Sequence, residues 1–132
     1  MKRIIPHISV SSCKHALEYY KDVFHGEVKN VQMADGNKMF EGHEGKITHA
    51  ELIINEYCIL YFNDFFGEEK KAGQINLLLD LESEEEINAL YAAMSNGSHI
   101  QFELQKTFWG AYHAVLTDRY GVTWSLNYGG NQ

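Results

Sequence analysis

SCKHALEYYKDVFHG, residues 12–26, decides the fold, because SEEEINALYAAMSNG, residues 83–97, repeats its pattern. In the first stretch Ala16, Leu17, Tyr20, Val23 and Phe24 recur at the spacing of one helical face. In the second, Ile87, Leu90, Tyr91 and Met94 do the same, and Ser83 with Glu86 fits a capping box. Each stretch ends on a glycine, a residue that stops helices by entering the left-handed region at no steric cost. An offset of 71 residues lays Gly26 on Gly97 and Tyr20 on Tyr91.

Working outward, each helix has the same neighbours. Residues 3–10 read as a strand, with Pro6 near its start marking an edge or a bulge, since proline removes a ladder hydrogen bond. After Gly26 come strands at 27–33, 47–54 and 57–62, with a long polar loop at 34–46 and a short connection at Asn55-Glu56. GEEKKAG, residues 67–73, is charged and apolar-poor and marks a seam. Strands at 74–81, 100–104, 111–117 and 122–126 then surround the second helix, residues 118–121 form a turn, and 129–132 is a short tail. The order strand, helix, glycine, three strands therefore occurs twice. One such half would leave a sheet face wet, whereas two can close around a shared interior, and the hollow between modules is where small-molecule pockets commonly lie. The expected class is α+β, a single domain over 1–132 with modules at 1–66 and 74–132.

Composition narrows the function. The chain has 132 residues, 45% hydrophobic and 13% aromatic, enough to fill one core. No apolar run approaches the roughly 20 residues of a membrane helix, and MKRIIPHISV lacks the apolar region and cleavage site of a secretory signal. Two cysteines, Cys13 and Cys58, make no disulfide framework and point to a cytoplasmic location. A helix-start position would favour a Cys13 thiolate, but no histidine faces it; Cys58 reads as a small core residue. Eleven basic against eighteen acidic residues give a formal charge of -7, which argues against nucleic acid as a partner.

The motifs Ala16-Leu17-Glu18-Tyr19-Tyr20 with Val23-Phe24, Thr48-His49-Ala50-Glu51-Leu52, Trp109-Gly110, Asp118-Arg119-Tyr120-Gly121-Val122 and Trp124 together resemble a PhnB-like protein of the vicinal oxygen chelate superfamily. That superfamily includes glyoxalase I, bleomycin and fosfomycin resistance proteins and extradiol dioxygenases. The resemblance implies paired βαβββ modules forming a cupped mixed sheet, a homodimer, and a divalent metal held by a histidine or carboxylate early in each module and a carboxylate in its last strand. Those positions fall on Ile5 and Asn76, on Leu60 or Tyr61, and on Ser125 or Asn127. None is acidic or an imidazole, so the glyoxalase I ligand set is not carried over.

Other residues offer a site. Strand positions two apart share a face, so His49 and Glu51 project together, and His7 lies one rung beyond Ile5. His7, His49 and His113 are candidate ligands for zinc, iron, manganese or nickel, with Glu51 a candidate base. Equally, His49 reads as a buried histidine bonded to backbone. Trp109 and Tyr112 are candidate pocket walls, while Trp124 is assigned to core or interface. His15, His25, His43 and His99 are expected at the surface. Three functions follow. One is a metal-dependent lyase, isomerase or dioxygenase acting on a small oxygenated substrate; another is a metal-free dimeric small-molecule binding or resistance-type protein. The third is a dimer that has lost catalysis.

Overall fold

A computed structural model of the chain describes residues 1–67 and 75–129. It divides into two compact units, Met1–Glu69 and Lys70–Gln132. The first contains β1 (His7–Val10), α1 (Cys13–Phe24), β2 (Glu27–Met33), β3 (Ile47–Ile53) and β4 (Ile59–Asp64); the second contains β5 (Leu77–Leu81), α2 (Glu84–Ser95), β6 (His99–Lys106), β7 (Ala111–Thr117) and β8 (Thr123–Gly129). Each unit is a four-stranded mixed sheet with one flanking helix, in the orders β1-β4-β3-β2 and β5-β8-β7-β6. The first and fourth strands of each run parallel and the remaining neighbours antiparallel. Residues 68–73 of the expected seam, Gln74 of the expected strand and residues 130–132 of the tail lie outside the described residues.

The helices are amphipathic, and that sets which sheet face is dry. In α1, Cys13, Ala16, Leu17 and Tyr20 are buried and meet Val10, Ala50, Leu52 and Phe62 of the sheet, all fully buried, with Tyr20 stacked on Phe62 at 5.1 Å. Ile87, Leu90 and Met94 of α2 occupy the same role above Ala114, Leu116, Trp124 and Leu126. Alternation along the strands then sends the odd-numbered residues of β1, and those of β4 and β8, to the face away from the helix.

Element boundaries differ from expectation for local reasons. β1 begins at His7 because Pro6 has no N–H to give; its carbonyl instead accepts from Tyr61 N at 2.9 Å. β4 starts at Ile59 because the Asn55 side chain accepts from the backbone N–H groups of Tyr57 and Cys58, extending the turn. Cys58 is thus in that turn and exposed, and the core role expected of it is corrected. A 3-10 helix at Lys38–Phe40 interrupts the long polar loop. His25, not Gly26, takes the left-handed conformation at the end of α1, with φ 54°. Gly26 is needed for space instead: a Cβ there would lie 2.8 Å from Leu52 Cδ1.

Asp64 and Asp118 tie elements together. Asp64, buried at the end of β4, accepts from Cys13 N at 2.8 Å and from Ile47 N at 2.7 Å. It thereby satisfies a free amide at the start of α1, where Ser12 makes no side-chain cap. Asp118 orders its turn through Tyr120 N and Val122 N, as expected, and also accepts from Trp124 Nε1 at 2.8 Å.

Candidate functional site

The open face of the first sheet carries the polar cluster. Across the ladder His7 stands beside Tyr61 and Tyr61 beside Glu51. His49 lies two residues before Glu51 on β3, so its ring falls on the same face. The His49 and Tyr61 rings meet edge to face at 4.7 Å, and His7 is 6.3 Å from His49 and 6.4 Å from Tyr61. One rung on, Ser9 donates to Asn63 Oδ1 at 2.6 Å.

Within the cluster, His49 Nε2 and Glu51 Oε2 are 2.8 Å apart, and both side chains are partly covered, 24% and 18% exposed. The other carboxylate oxygen, Oε1, accepts from Asn30 Nδ2 at 3.0 Å. These two hydrogen bonds, His49 first and Asn30 second, hold the Glu51 carboxyl below its ordinary value. An ionised carboxylate can only accept, so it selects the His49 tautomer with the proton on Nε2 and leaves the Nδ1 lone pair for another donor. Among the described residues neither His49 Nδ1 nor the Tyr61 hydroxyl has a hydrogen-bond partner.

His113 lies on the corresponding face of the second sheet. Ala50 pairs with Phe62 as Ala114 pairs with Leu126, and Gln32 faces His49 as Gln105 faces His113. His49 and His113 are therefore equivalent positions of the repeat. His113 is held differently, with Nδ1 3.2 Å from Asn127 Oδ1, and lies between Trp109 and Phe102, each 5.9 Å away. Tyr112 points to the opposite, helix-bearing face, where it stacks near Tyr128, and hydrogen bonding to Glu84 raises its hydroxyl pKa. Trp109 and Tyr112 thus do not line one surface of this unit.

The three candidate metal-ligating histidines are divided, His7 and His49 in the first unit and His113 in the second. Among the described residues no group of three or more His, Cys, Asp or Glu side chains is arranged to hold a metal ion. Both Glu51 oxygens are already engaged. Ile5 and Asn76 precede their strands, and Leu60 is buried on the helix face. Within either unit taken by itself, the described residues assemble no ligand set for the divalent metal implied by the resemblance.

A separate groove of about 460 Å³ lies between α1 and β2, its lining including apolar Leu17, Val28, Val31 and Met33 and charged Lys14, Glu18 and Lys21. Of the remaining histidines His15, His25 and His99 are exposed, and His43 is half-buried against Phe66. Cys13 is fully buried, and burial followed by the Asp64 charge pushes its pKa to about 12, so it is a neutral thiol.

Residues 2–127 match the family described as 3-demethylubiquinone-9 3-methyltransferase. The chain belongs to that family, and it shares the fold of the glyoxalase and bleomycin-resistance proteins, a PhnB protein among them. Solved structures similar to this PhnB-like chain include protein PA1353 from Pseudomonas aeruginosa, 24% identical over 99% of this chain and 100% of that one, with a TM-score of 0.88. A second is a putative 3-demethylubiquinone-9 3-methyltransferase, PhnB protein, from Bacillus cereus, 22% identical over 97% and 100%, with a TM-score of 0.82. The fosfomycin resistance protein FosX from Listeria monocytogenes is 10% identical over 99% and 95%, with a TM-score of 0.70. At these identities the likeness is one of fold. No curated protein matches the PhnB-like chain in sequence.

Proposed function

We propose that this PhnB-like chain is a metal-independent small-molecule binding protein whose recognition site is the face formed by His7, His49, Glu51 and Tyr61. The observation that carries the reading is the state of Glu51. With one oxygen on Asn30 and the other on His49, it is an orienting group for the imidazole, neither a metal ligand nor a free base. What the face offers a ligand is an acceptor, His49 Nδ1, beside a phenolic hydroxyl, Tyr61. That combination suits a small organic molecule carrying a hydroxyl donor next to a second oxygen.

The reading includes two units acting as halves of one domain over 1–132 and a homodimer. Supporting the dimer are Leu78, Phe102, Phe108 and Trp109, large apolar side chains left exposed in the second unit. Within the second unit, Trp109 beside His113 is taken as a ligand-contacting surface of that unit's own sheet; Tyr112, on the opposite face, is not. A cytoplasmic setting fits the two free cysteines, and no helix among the described residues is long and apolar enough to cross a membrane.

A catalytic reading is favoured by the same geometry. His49 Nδ1 is positioned to take the proton of a bound hydroxyl, with Glu51 stabilising the imidazolium that forms. The test is calorimetric titration with small phenols, vicinal diols and fosfomycin, with and without EDTA, on wild type and His49→Ala. The expected result is binding that EDTA leaves unchanged and that His49→Ala weakens about tenfold, roughly 1.4 kcal/mol. Binding that appears only after loading with zinc, iron, manganese or nickel contradicts the reading.

A further inference from the structure

Asn30 stands in an unusual conformation for a residue within a strand. Its φ is 52°, in the left-handed region; the other non-glycine residues there among the described residues, Ser12 and His25, sit at the two ends of α1. A left-handed L-residue costs about 1–2 kcal/mol, and asparagine is one of the few that tolerate it. Around it the ladder is bulged. Lys29 pairs with Glu51 and Gln32 with His49, so Asn30 and Val31 of β2 oppose the single residue Ala50 of β3.

The second unit supplies an internal comparison. There Phe102 pairs with Val115 and Gln105 with His113, so Glu103 and Leu104 oppose Ala114. The bulge therefore belongs to both halves and is a property of the repeated sheet. The left-handed residue is not shared: Glu103, in the position of Asn30, has no positive φ. Nor is the carboxylate shared, because Val115 stands where Glu51 does. Left-handed backbone, side-chain amide and carboxylate occur together in the first unit, and the amide donates to Glu51 Oε1 at 3.0 Å.

We propose that Asn30 is a positioning residue, its strained backbone within the β2 bulge aiming the side-chain amide at Glu51 so that the carboxylate's other oxygen fixes the His49 ring. The inference rests on the His49–Glu51 site described above, but its test needs no ligand. Glycine accepts the left-handed region without strain, so Asn30→Gly keeps the bulge and removes only the donor. The Glu51 carboxyl is followed by carbon-13 NMR through a pH titration, and the His49 tautomer by nitrogen-15 shifts, in the free protein with EDTA present.

Asn30→Gly is expected to raise the Glu51 midpoint toward the ordinary carboxylate value and to mix the His49 tautomers. Asn30→Asp, which brings a like charge, is expected to raise it further. Should Asn30→Gly fold less well, the Asn30 amide is read instead in Glu51→Ala, where its proton resonances are expected to move to the values of a solvated amide. An unchanged Glu51 midpoint in folded Asn30→Gly, or an Asn30 amide indifferent to Glu51→Ala, overturns the proposal. Either result leaves the ligand titrations to be judged by themselves.

Discussion

Glu51 has two hydrogen-bond partners, and its lowered pKa turns them into a pH-dependent stability. Its folded value lies below the unfolded one, because His49 and then Asn30 favour the charged form. The stabilisation is present above the ordinary carboxylate range and is lost as pH falls through the lowered folded value. Urea unfolding of wild type and Glu51→Gln is therefore expected to separate the two proteins at pH 7 and to bring them together at pH 3. An equal gap at both values would remove the carboxylate charge from the account. Cys13 carries the opposite sign of argument. Its thiol is pushed up to about 12, so the folded state loses stability as pH rises above the thiol's unfolded range. At pH 8 a thiol reagent is expected to modify exposed Cys58 quickly and Cys13 only on unfolding; two fast sites would contradict its burial. The His49–Glu51 pair is legible in the sequence because strand alternation puts i and i+2 together. Tyr61 is visible there only as one of two alternatives with Leu60, and strand parity decides between them. Asn30 is not visible, because a bulge and a left-handed φ leave no periodic trace.

At the scale of elements, long-range side-chain caps are what sequence patterns miss. The Ser83–Glu86 box is local, and Glu86 N does donate to Ser83 Oγ at 3.0 Å, while the Glu86 carboxylate reaches Glu82 N. The start of α1 is capped from β4 by Asp64, which no local motif announces. Asp64→Ala leaves the amides of Cys13 and Ile47 buried without their acceptor. It is expected to lower the unfolding free energy in urea by about 2–6 kcal/mol, from a cost of roughly 1–3 kcal/mol for each of the two buried unsatisfied groups; a loss under about 0.5 kcal/mol would mean that water replaces the carboxylate. Gly26→Ala drives a methyl against Leu52 and the Ile53 carbonyl. The cost expected in the same measurement is about 1–3 kcal/mol, the range for overpacked cores. Stability equal to wild type would show that Leu52 repacks freely.

For the molecule as a whole, the repeat is legible and its register only partly so. The helices and their glycines align at one offset, but residues 34–46 separate β2 from β3 where residues 107–110 suffice between β6 and β7. That difference in loop length hides the equivalence of His49 and His113, which the strand pairings reveal. The repeat also shows what each half has kept: a carboxylate-held imidazole in the first, an amide-held imidazole flanked by aromatics in the second. On this proposal Glu51 fixes His49 with its Nδ1 lone pair open to a ligand, without a metal. The nitrogen-15 spectrum of the His49 imidazole in EDTA-treated protein at pH 7 tests it most directly. The expected result is a single Nε2-protonated tautomer whose Nδ1 signal moves when a hydroxyl-bearing ligand binds. A freely exchanging or Nδ1-protonated ring, or one that responds to ligand only once a metal is added, would contradict it.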